Sequence, residues 1–287
     1  MMELIDTHFH FYGEATPPEA LQQIREDLAA ACREIDCEVP RLGFVAAGGD
    51  YIESLRAREF ARVAPRCRYA AGVHPHQAEA HLANAAAEDF AVFAGDPLLA
   101  AVGELGLDYY YDGSPHPAQR TVLERFLALA LAWRLPAVIH LRDKEGADDA
   151  YRDADAMLAD FAAAGGRFVV HCFAGGPAWA ERFLALGAML GVTGMVTFRK
   201  AENIREVVRR IPPERLLIET DSPYLAPVPF RSRPNSPGFL PMVAARVAAE
   251  TGASLAEVAR TTTANARKFF AWREADDEIE AKGNSEQ

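Results

Sequence analysis

The sequence is short of basic residues and of cysteine. Its 287 residues include 30 lysines and arginines against 41 aspartates and glutamates, so the formal net charge is −11. A protein that coats nucleic acid through a broad basic surface is therefore excluded, because such binding is mostly electrostatic. The four cysteines form no C-x-x-C pair and are too few for a disulfide framework at this length, which indicates a reducing compartment.

Several targeting and cofactor-binding patterns are also missing. The N-terminus lacks the basic and apolar regions of a signal peptide, and the longest weakly polar stretch, 185–198, is too short and too glycine-rich to span a bilayer. Neither G-x-x-x-x-G-K-[ST] nor G-x-G-x-x-G after a first strand occurs, so the common nucleotide-binding loops are excluded. We expect a cytoplasmic protein with no membrane partner, and the sequence indicates no obligate protein partner.

Eight short apolar runs alternate with longer stretches of helical spacing. The runs end near positions 10, 47, 74, 104, 140, 171, 193 and 221, at intervals typical of one strand–helix unit. Apolar strands that alternate with helices indicate a parallel sheet buried on both faces, and eight units favour a closed (β/α)8 barrel. No repeat or linker divides the chain. We predict a single α/β barrel domain over 1–272 and a disordered acidic tail over 273–287, which has six acidic and two basic residues.

Two helices are expected after the last predicted strand. They cover residues 241–250 and 254–270. Ser254 is followed three residues later by Glu257, the spacing of a capping box at a helix N-terminus. The second of these helices should therefore begin directly after Ser254.

The first predicted strand ends in the sequence Asp6-Thr7-His8-Phe9-His10. Side chains at i and i+2 of a strand point to the same side, so His8 and His10 form a natural metal clamp and Phe9 points away from it. Four other apolar runs also end in residues that bind metals: Glu104, His140, His171 and Asp221. The C-terminal ends of parallel barrel strands converge on the rim that carries active sites, so these six residues predict a metal site.

The donor types indicate which ions the predicted site binds. Nitrogen and carboxylate ligands suit Zn or Mn, and oxygen-richer sites favour Mg. Four histidines and two carboxylates exceed the three protein ligands of one catalytic zinc, so we infer two divalent metal ions (Mg, Mn or Zn) bridged by Glu104. Such a pair binds an ionised water and clamps the attacking and leaving oxygens of a displacement. Asp221 then takes or delivers a proton, unless its role is to cap the Ser222-Pro223 turn.

Several segments, taken together and in order, resemble the TatD family of metal-dependent hydrolases: IDTHFH, AAGVHPH, VGELGLDYYY, QRTVLERF, VIHLRD, VVHCFAG, LLIETDSPYLAPVPFR and RPNSP. The resemblance covers positions 4 to about 270 and implies an amidohydrolase-like barrel. It also implies a metal-dependent deoxyribonuclease that acts from the 3′ end. Two positions depart from the usual pattern: Phe9 replaces a Cys, and Leu141 replaces a small hydroxyl residue.

The resemblance also implies roles for single residues. It assigns the metal positions to the six residues already named: His8, His10, Glu104, His140, His171 and Asp221. It places His74 against the scissile phosphate, so we expect His74 to bind substrate and to act in catalysis with Glu104 and Asp221. The bridge here is a glutamate, whereas some amidohydrolases use a carbamylated lysine, and no lysine ends a predicted strand.

Other residues near the predicted strand ends have more than one possible role. Arg142, Arg199 and Arg231 are expected to bind phosphate, although solvated surface arginines are common. Asp108 either orients a ligand histidine or caps a turn. Of the tyrosines 109–111, which could stack on a base, we expect at least two to pack against the neighbouring helix. Strand alternation places Cys172 opposite His171, which argues against a Cys–His nucleophile.

These observations favour a divalent-metal phosphodiester hydrolase that acts on a DNA strand end, as a 3′-5′ exodeoxyribonuclease. The alternative keeps the same metals but hydrolyses a small ester, lactone, amide or aminoacyl-nucleic acid, because one metal-activated water attacks carbon or phosphorus alike. A third reading is a scaffold with a structural metal. The surplus of ligands at an open rim counts against that reading, since structural zinc sites are closed and four-coordinate.

Overall fold

Eight parallel β-strands lie side by side in the order in which they occur in the chain. The structure is a computed structural model that describes residues 1–12, 15–83, 89–111 and 113–272; the tail predicted at 273–287 lies outside the described residues. The strands are β1 (Glu3–His10), β2 (Arg41–Ala47), β3 (Cys67–Ala71), β4 (Leu99–Asp108), β5 (Ala137–Arg142), β6 (Phe168–Val170), β7 (Met189–Val192) and β8 (Leu216–Ile218).

Helices connect the strands and pack around them. In the described residues they are α1 (Pro17–Glu34), α2 (Tyr51–Val63), α3 (Ala78–Ala83), α4 (His116–Trp133), α5 (Asp149–Ala163), α6 (Pro177–Ala185), α7 (Glu202–Val208), α8 (Leu240–Thr251) and α9 (Leu255–Phe269). The predicted (β/α)8 barrel is therefore confirmed, and it forms one domain. None of the helices in these residues has the length and apolar character that a membrane span requires.

The predicted capping box at the start of α9 is confirmed. Ser254 Oγ accepts the backbone N–H of Glu257 at 3.2 Å, and the Glu257 carboxylate accepts the backbone N–H of Ser254 at 2.8 Å. Both bonds satisfy N–H groups that a helix start leaves unpaired. The end of α9 places Phe269 and Phe270, together with Trp272, against strand residues such as Ile5 in a separate buried cluster.

The barrel closes where the chain after β8 meets β1. The Asp221 N–H donates to the His8 carbonyl at 2.9 Å, and the His10 N–H donates to the Ser222 carbonyl at 2.8 Å. Asp6 caps the same seam, since its carboxylate accepts the Thr220 N–H at 2.9 Å. This seam brings the first and last predicted site segments together, although they are more than two hundred residues apart in sequence.

The fourth strand is longer than the sequence predicted. It continues past Glu104 to Asp108, so Glu104 lies inside the strand and not at its end. Two glycines with unusual backbone conformations lie in this strand, on either side of Glu104. Gly103 and Gly106 have φ values of +151° and +154°, and Gly106 pairs with His140 on β5. Only glycine adopts such a conformation at low cost, and here it allows close approach to β5.

We expect Gly106→Ala to destabilise the protein more than an alanine substitution at a glycine that also has a positive φ but has open space around it. A Cβ at position 106 would lie 1.9 Å from the His140 carbonyl oxygen, so β4 and β5 must separate. Backbone strain and overpacking together should lower the free energy of unfolding by at least about 3 kcal/mol, measured by urea denaturation. Gly165→Ala is the matched control, since its φ is +88° and nothing lies within 4 Å of the added carbon; it should cost about 1 kcal/mol. Equal losses in the two variants would contradict this account.

Candidate metal centre

Strand β1 directs two histidines into the barrel and the residue between them outward. His8 Nε2 and His10 Nε2 lie 3.2 Å apart. Phe9 points the other way, with its ring packed against Phe44 at 5.9 Å and Phe60 at 5.3 Å between centroids. The predicted clamp geometry is therefore present, and a large apolar side chain on the outer face holds the strand in this register.

The carboxylate of Glu104 lies at the centre of the site, and its two oxygens face different histidines. Oε2 is 3.2 Å from His8 Nε2 and 3.2 Å from His10 Nε2. Oε1 is 2.7 Å from His140 Nδ1 and 2.8 Å from His171 Nε2. Glu104 is only 2 % exposed, so this charge is almost wholly removed from water and is compensated by the histidines.

Asp221 and His74 complete the two groups of donor atoms. Asp221 Oδ1 lies 3.8 Å from His8 Nε2 and 3.6 Å from His10 Nε2, on the Oε2 side of Glu104. His74 Nε2 lies 3.6 Å from Glu104 Oε1, on the other side. All six residues predicted as metal ligands, and His74, are thus brought together in one place.

The arrangement of these donors fits divalent cations. Two ligands of one tetrahedral ion with bonds of about 2.1 Å lie roughly 3.4 Å apart, which is close to the separations around His8 and His10. Glu104 Oε2 is buried, and the ring nitrogens of His8 and His10 lie 3.2 Å from it. Nitrogens and oxygens that converge from several strands on one buried point are what a cation site requires.

The charges in this site depend on one another. Burial opposes ionisation of Glu104, but His171, His74 and His8 outweigh it and hold the pKa of its carboxyl well below the ordinary value. Burial likewise lowers the pKa of His10, but its hydrogen bonds to Asp221 and Glu104 prevail and raise that pKa to about 10. The carboxylates therefore stay ionised, and a cation that binds must displace protons from histidines.

Asp108 fulfils both of the roles that the sequence left open. Its Oδ2 is 2.9 Å from His76 Nε2 and 3.4 Å from His140 Nε2, the ring nitrogen that faces away from Glu104. Its Oδ1 accepts the backbone N–H groups of Tyr110 at 2.9 Å and Tyr111 at 3.0 Å. One carboxylate therefore orients a histidine of the site and fixes the loop that follows β4.

Sequence reasoning missed two carboxylates beside the donors. Glu219 is 1 % exposed, with Oε1 3.7 Å from His171 Nδ1 and Oε2 accepting the Thr7 hydroxyl at 3.1 Å. Its position two residues before Asp221 was the available signal. Glu53 on α2 accepts the Gly49 N–H at 2.9 Å and lines the cavity, and no sequence pattern distinguished it from a surface residue.

The donors open into a cavity of about 1130 Å³ on the C-terminal side of the barrel. Of the three arginines predicted to bind phosphate, Arg142 and Arg231 line it. Arg199 is exposed on the turn after β7 and is not among the described residues that line the cavity. Arg231 has its guanidinium 3.9 Å from the centre of the Phe198 ring, so packing holds it in place.

Two expectations about side-chain direction were wrong. Only Tyr109 of the three consecutive tyrosines is buried; Tyr110 and Tyr111 are exposed and line the cavity. Cys172 also lines the cavity instead of pointing away from it, because β6 ends at Val170 and Cys172 has a φ of +46°, which breaks strand alternation. Burial raises the pKa of the Cys172 thiol well above its ordinary value, so it remains a poor nucleophile.

The family model for TatD related DNase matches residues 5–271. The chain belongs to the TatD family. Among its relatives, the metal-dependent hydrolase YabD of Bacillus subtilis is 34 % identical over 270 residues, which are 93 % of this chain and 98 % of YabD. The 3′-5′ ssDNA/RNA exonuclease TatD of Erwinia amylovora is 37 % identical over 234 residues, 79 % of this chain and 88 % of that protein. This protein is accordingly a metal-dependent hydrolase.

A solved structure of a TatD-family member has the same fold. The TatD homologue YjjV of Escherichia coli K12 superposes with a TM-score of 0.78 at 26 % identity, covering 94 % of this chain and 98 % of that one. An amidohydrolase of Saccharomyces cerevisiae, 18 % identical, has a TM-score of 0.74 over 94 % of this chain and 100 % of its own. The second likeness concerns the fold alone, and it agrees with the amidohydrolase-like barrel expected from the sequence.

Glu104→Gln should remove most of the metal affinity of this protein. The amide keeps the shape of the side chain but loses the charge that faces both donor groups. Changes outside the ligand shell already weaken metal binding roughly 10- to 100-fold, so we expect more than about 100-fold here, measured by titration calorimetry with Mn²⁺ or Zn²⁺. Glu145→Gln, at an exposed carboxylate on the cavity mouth, is the control and should bind as the wild type does. Unchanged affinity in Glu104→Gln would contradict a central role for this carboxylate.

Proposed function

We propose that this TatD-family hydrolase cleaves phosphodiester bonds of DNA at a strand end, as a 3′-5′ exodeoxyribonuclease. The observation that carries the proposal is the pair of donor groups on either side of one carboxylate, since two cations held about 3.5–4 Å apart are suited to in-line displacement at phosphorus. Relatives named as 3′-5′ ssDNA/RNA exonucleases support the substrate class.

The proposed ligand set follows the two groups of donors. Two divalent ions, Mg, Mn or Zn, would share Glu104 as a bridge. The Oε2 side would use His8, His10 and Asp221, and the Oε1 side would use His140 and His171. When bound, such ions stabilise charge on the phosphate and lower the pKa of a nearby water.

The chain's own residues supply proton transfer and orientation. Asp221 is the proposed base: burial opposes its ionisation, but the hydrogen bond from His10 outweighs this and keeps the pKa of the carboxyl below its ordinary value. It faces the cavity with its side chain 13 % exposed, so an attacking water can reach it. His74, Arg142 and Arg231 line the cavity, and we propose that His74 donates to a phosphate oxygen while the two arginines pair with the phosphates of the strand.

The charge of the cavity limits which substrates can bind. Seven carboxylate residues line it against three lysines and arginines, so a phosphate is attracted only where cations are bound. A long grip along a duplex is disfavoured, and brief capture of a strand end is favoured. The cytoplasmic location remains a prediction from the sequence.

Removal of metal should abolish hydrolysis of a single-stranded oligonucleotide, because the cavity itself repels phosphate. In the metal-loaded protein, a 3′-labelled strand should release its label as a mononucleotide first, and a 5′-labelled strand should give a ladder of shortened products. Product analysis on gels distinguishes these patterns. Full activity after chelation, or internal cleavage of a strand whose ends are blocked, would contradict the proposal.

Asp221→Asn should lower kcat/KM on the same oligonucleotide by about 10²- to 10⁴-fold, the range expected when a general base is lost. Metal content, measured by elemental analysis, separates loss of the base from loss of an ion. Glu124→Gln, at an exposed carboxylate on α4 that is not among the described residues lining the cavity, serves as the control and should keep the wild-type rate. A metal-loaded Asp221→Asn enzyme with an unchanged rate would rule out the proposed base.

A second candidate keeps the metals but hydrolyses a small ester, lactone or amide, or an aminoacyl-nucleic acid, and the acidic lining of the cavity favours a small substrate. Salt distinguishes the two. Binding through two phosphates of a single strand should weaken with a slope of about −1.4 in log K against log salt concentration, because counterions are released. A neutral ester should show no such slope. A substrate panel of bis-p-nitrophenyl phosphate, DNA, RNA and esters, run at several salt concentrations, decides between them.

A further inference from the structure

Three exposed aromatic side chains surround the cavity mouth. Tyr110 and Tyr111 are 43 % and 57 % exposed, and Tyr224 is 54 % exposed; all three line the cavity. They are the aromatic members of the set of exposed large apolar side chains in the described residues. Apolar rings that surround a polar, acidic cavity indicate a ligand with a flat face as well as a charged group.

Tyr110 and Tyr111 form a compact cluster with Arg142, which we name the tyrosine–arginine platform. The two ring centres are 4.6 Å apart with an interplanar angle of 77°, and the guanidinium carbon of Arg142 lies 4.7 Å and 4.8 Å from them. A guanidinium over aromatic faces is a favourable cation–π arrangement. The cluster therefore presents both π faces and a positive charge, the two features that nucleobases stack on.

The platform is held in a fixed position beside the metal centre. Asp108 Oδ1 accepts the backbone N–H groups of Tyr110 and Tyr111, and the Asp108 N–H donates to Gln119 Oε1 at 2.7 Å. Arg142 lies two residues after His140 on β5, opposite Asp108 on β4. Because these bonds fix the backbone of Tyr110 and Tyr111, a ligand that binds the platform does not have to offset the entropy of ordering that backbone.

We propose that the tyrosine–arginine platform stacks one unpaired nucleobase of the strand whose phosphate lies at the donor groups. This inference rests on the proposed phosphodiesterase function and names its substrate more narrowly, as a strand with an unpaired base near the scissile bond. A base within a duplex is stacked on its neighbours and cannot reach the rings without unpairing. The platform thus selects single strands at a cavity whose charge alone favours no polynucleotide.

The test measures how much a single base of the substrate contributes to kcat/KM, in the wild type and in a variant that lacks the two tyrosine rings. Metal-loaded wild-type enzyme is assayed on matched single-stranded oligonucleotides. One is natural, and each of the others carries a single abasic site at one of the last three 3′ positions. At the stacked position, loss of the base should lower kcat/KM about 5- to 100-fold. The double variant Tyr110→Ala with Tyr111→Ala should lose the same factor on the natural strand and nothing further on the abasic strand.

Two control variants separate stacking from other roles. Tyr110→Phe with Tyr111→Phe keeps the rings and should retain the wild-type preference for the natural strand. Tyr224→Ala removes an exposed ring that follows β8, on the far side of the barrel from β4, and should leave the cost of the abasic site unchanged. If the double alanine variant slows natural and abasic strands equally, or slows neither, the platform does not stack a base.

A binding measurement distinguishes failure of this inference from failure of the proposed function. Calorimetric titration of metal-loaded protein with dAMP and with 1,2-dideoxyribose 5-phosphate compares ligands that differ only in the replacement of the base by hydrogen. Wild type should bind dAMP at least about fivefold more tightly, and the double alanine variant should bind both alike. Equal binding by the wild type overturns the platform. An enzyme that hydrolyses no oligonucleotide but keeps the dAMP preference overturns only the exonuclease function.

Discussion

The structure depends on a carboxylate buried among histidines. An isolated ionised carboxylate would be very costly inside a barrel, and Glu104 is tolerated because ring nitrogens from three strands or their ends surround both of its oxygens. This requirement links distant parts of the chain. The seam between β1 and the segment after β8 must close to bring Asp221 beside His8, and Gly106 must allow β4 to approach β5.

The sequence predicted the features that follow from local periodicity. His8 and His10 share a face, and Phe9 packs outward, because strand alternation is set by the backbone and not by distant contacts. The convergence of His140, His171 and Asp221 follows from the parallel order of the strands, which the alternation of apolar runs already indicated. The family resemblance added the role expected of His74, which periodicity alone left undecided.

The sequence could not predict features that arise where strands end. Cys172 and Asp221 have positive φ values of 46° and 55°, so alternation no longer tells where a side chain points. Glu219 directly follows β8 and His171 directly follows β6. Their contact forms only because the folded barrel brings the ends of these two strands together. The exposure of Tyr110 and Tyr111 depends on Asp108, whose carboxylate turns the backbone after β4 toward the cavity.

The net charge of −11 and a nucleic-acid substrate are compatible for a reason of distance. At physiological ionic strength charges are screened beyond about 8 Å, so acidic residues on the outer surface act little on a phosphate inside the cavity. The carboxylates that line the cavity do act on it, and in the proposed function two of them, Glu104 and Asp221, would hold cations that reverse the local sign. A duplex lying across the rim would meet the acidic loop after β5 over much of its length. In the proposed function a single strand end would meet this loop only briefly, and its base would lie against the tyrosine–arginine platform. Among the described residues that line the cavity, acidity would therefore contribute to selection, because it would confine the attraction of a phosphate to the metal centre.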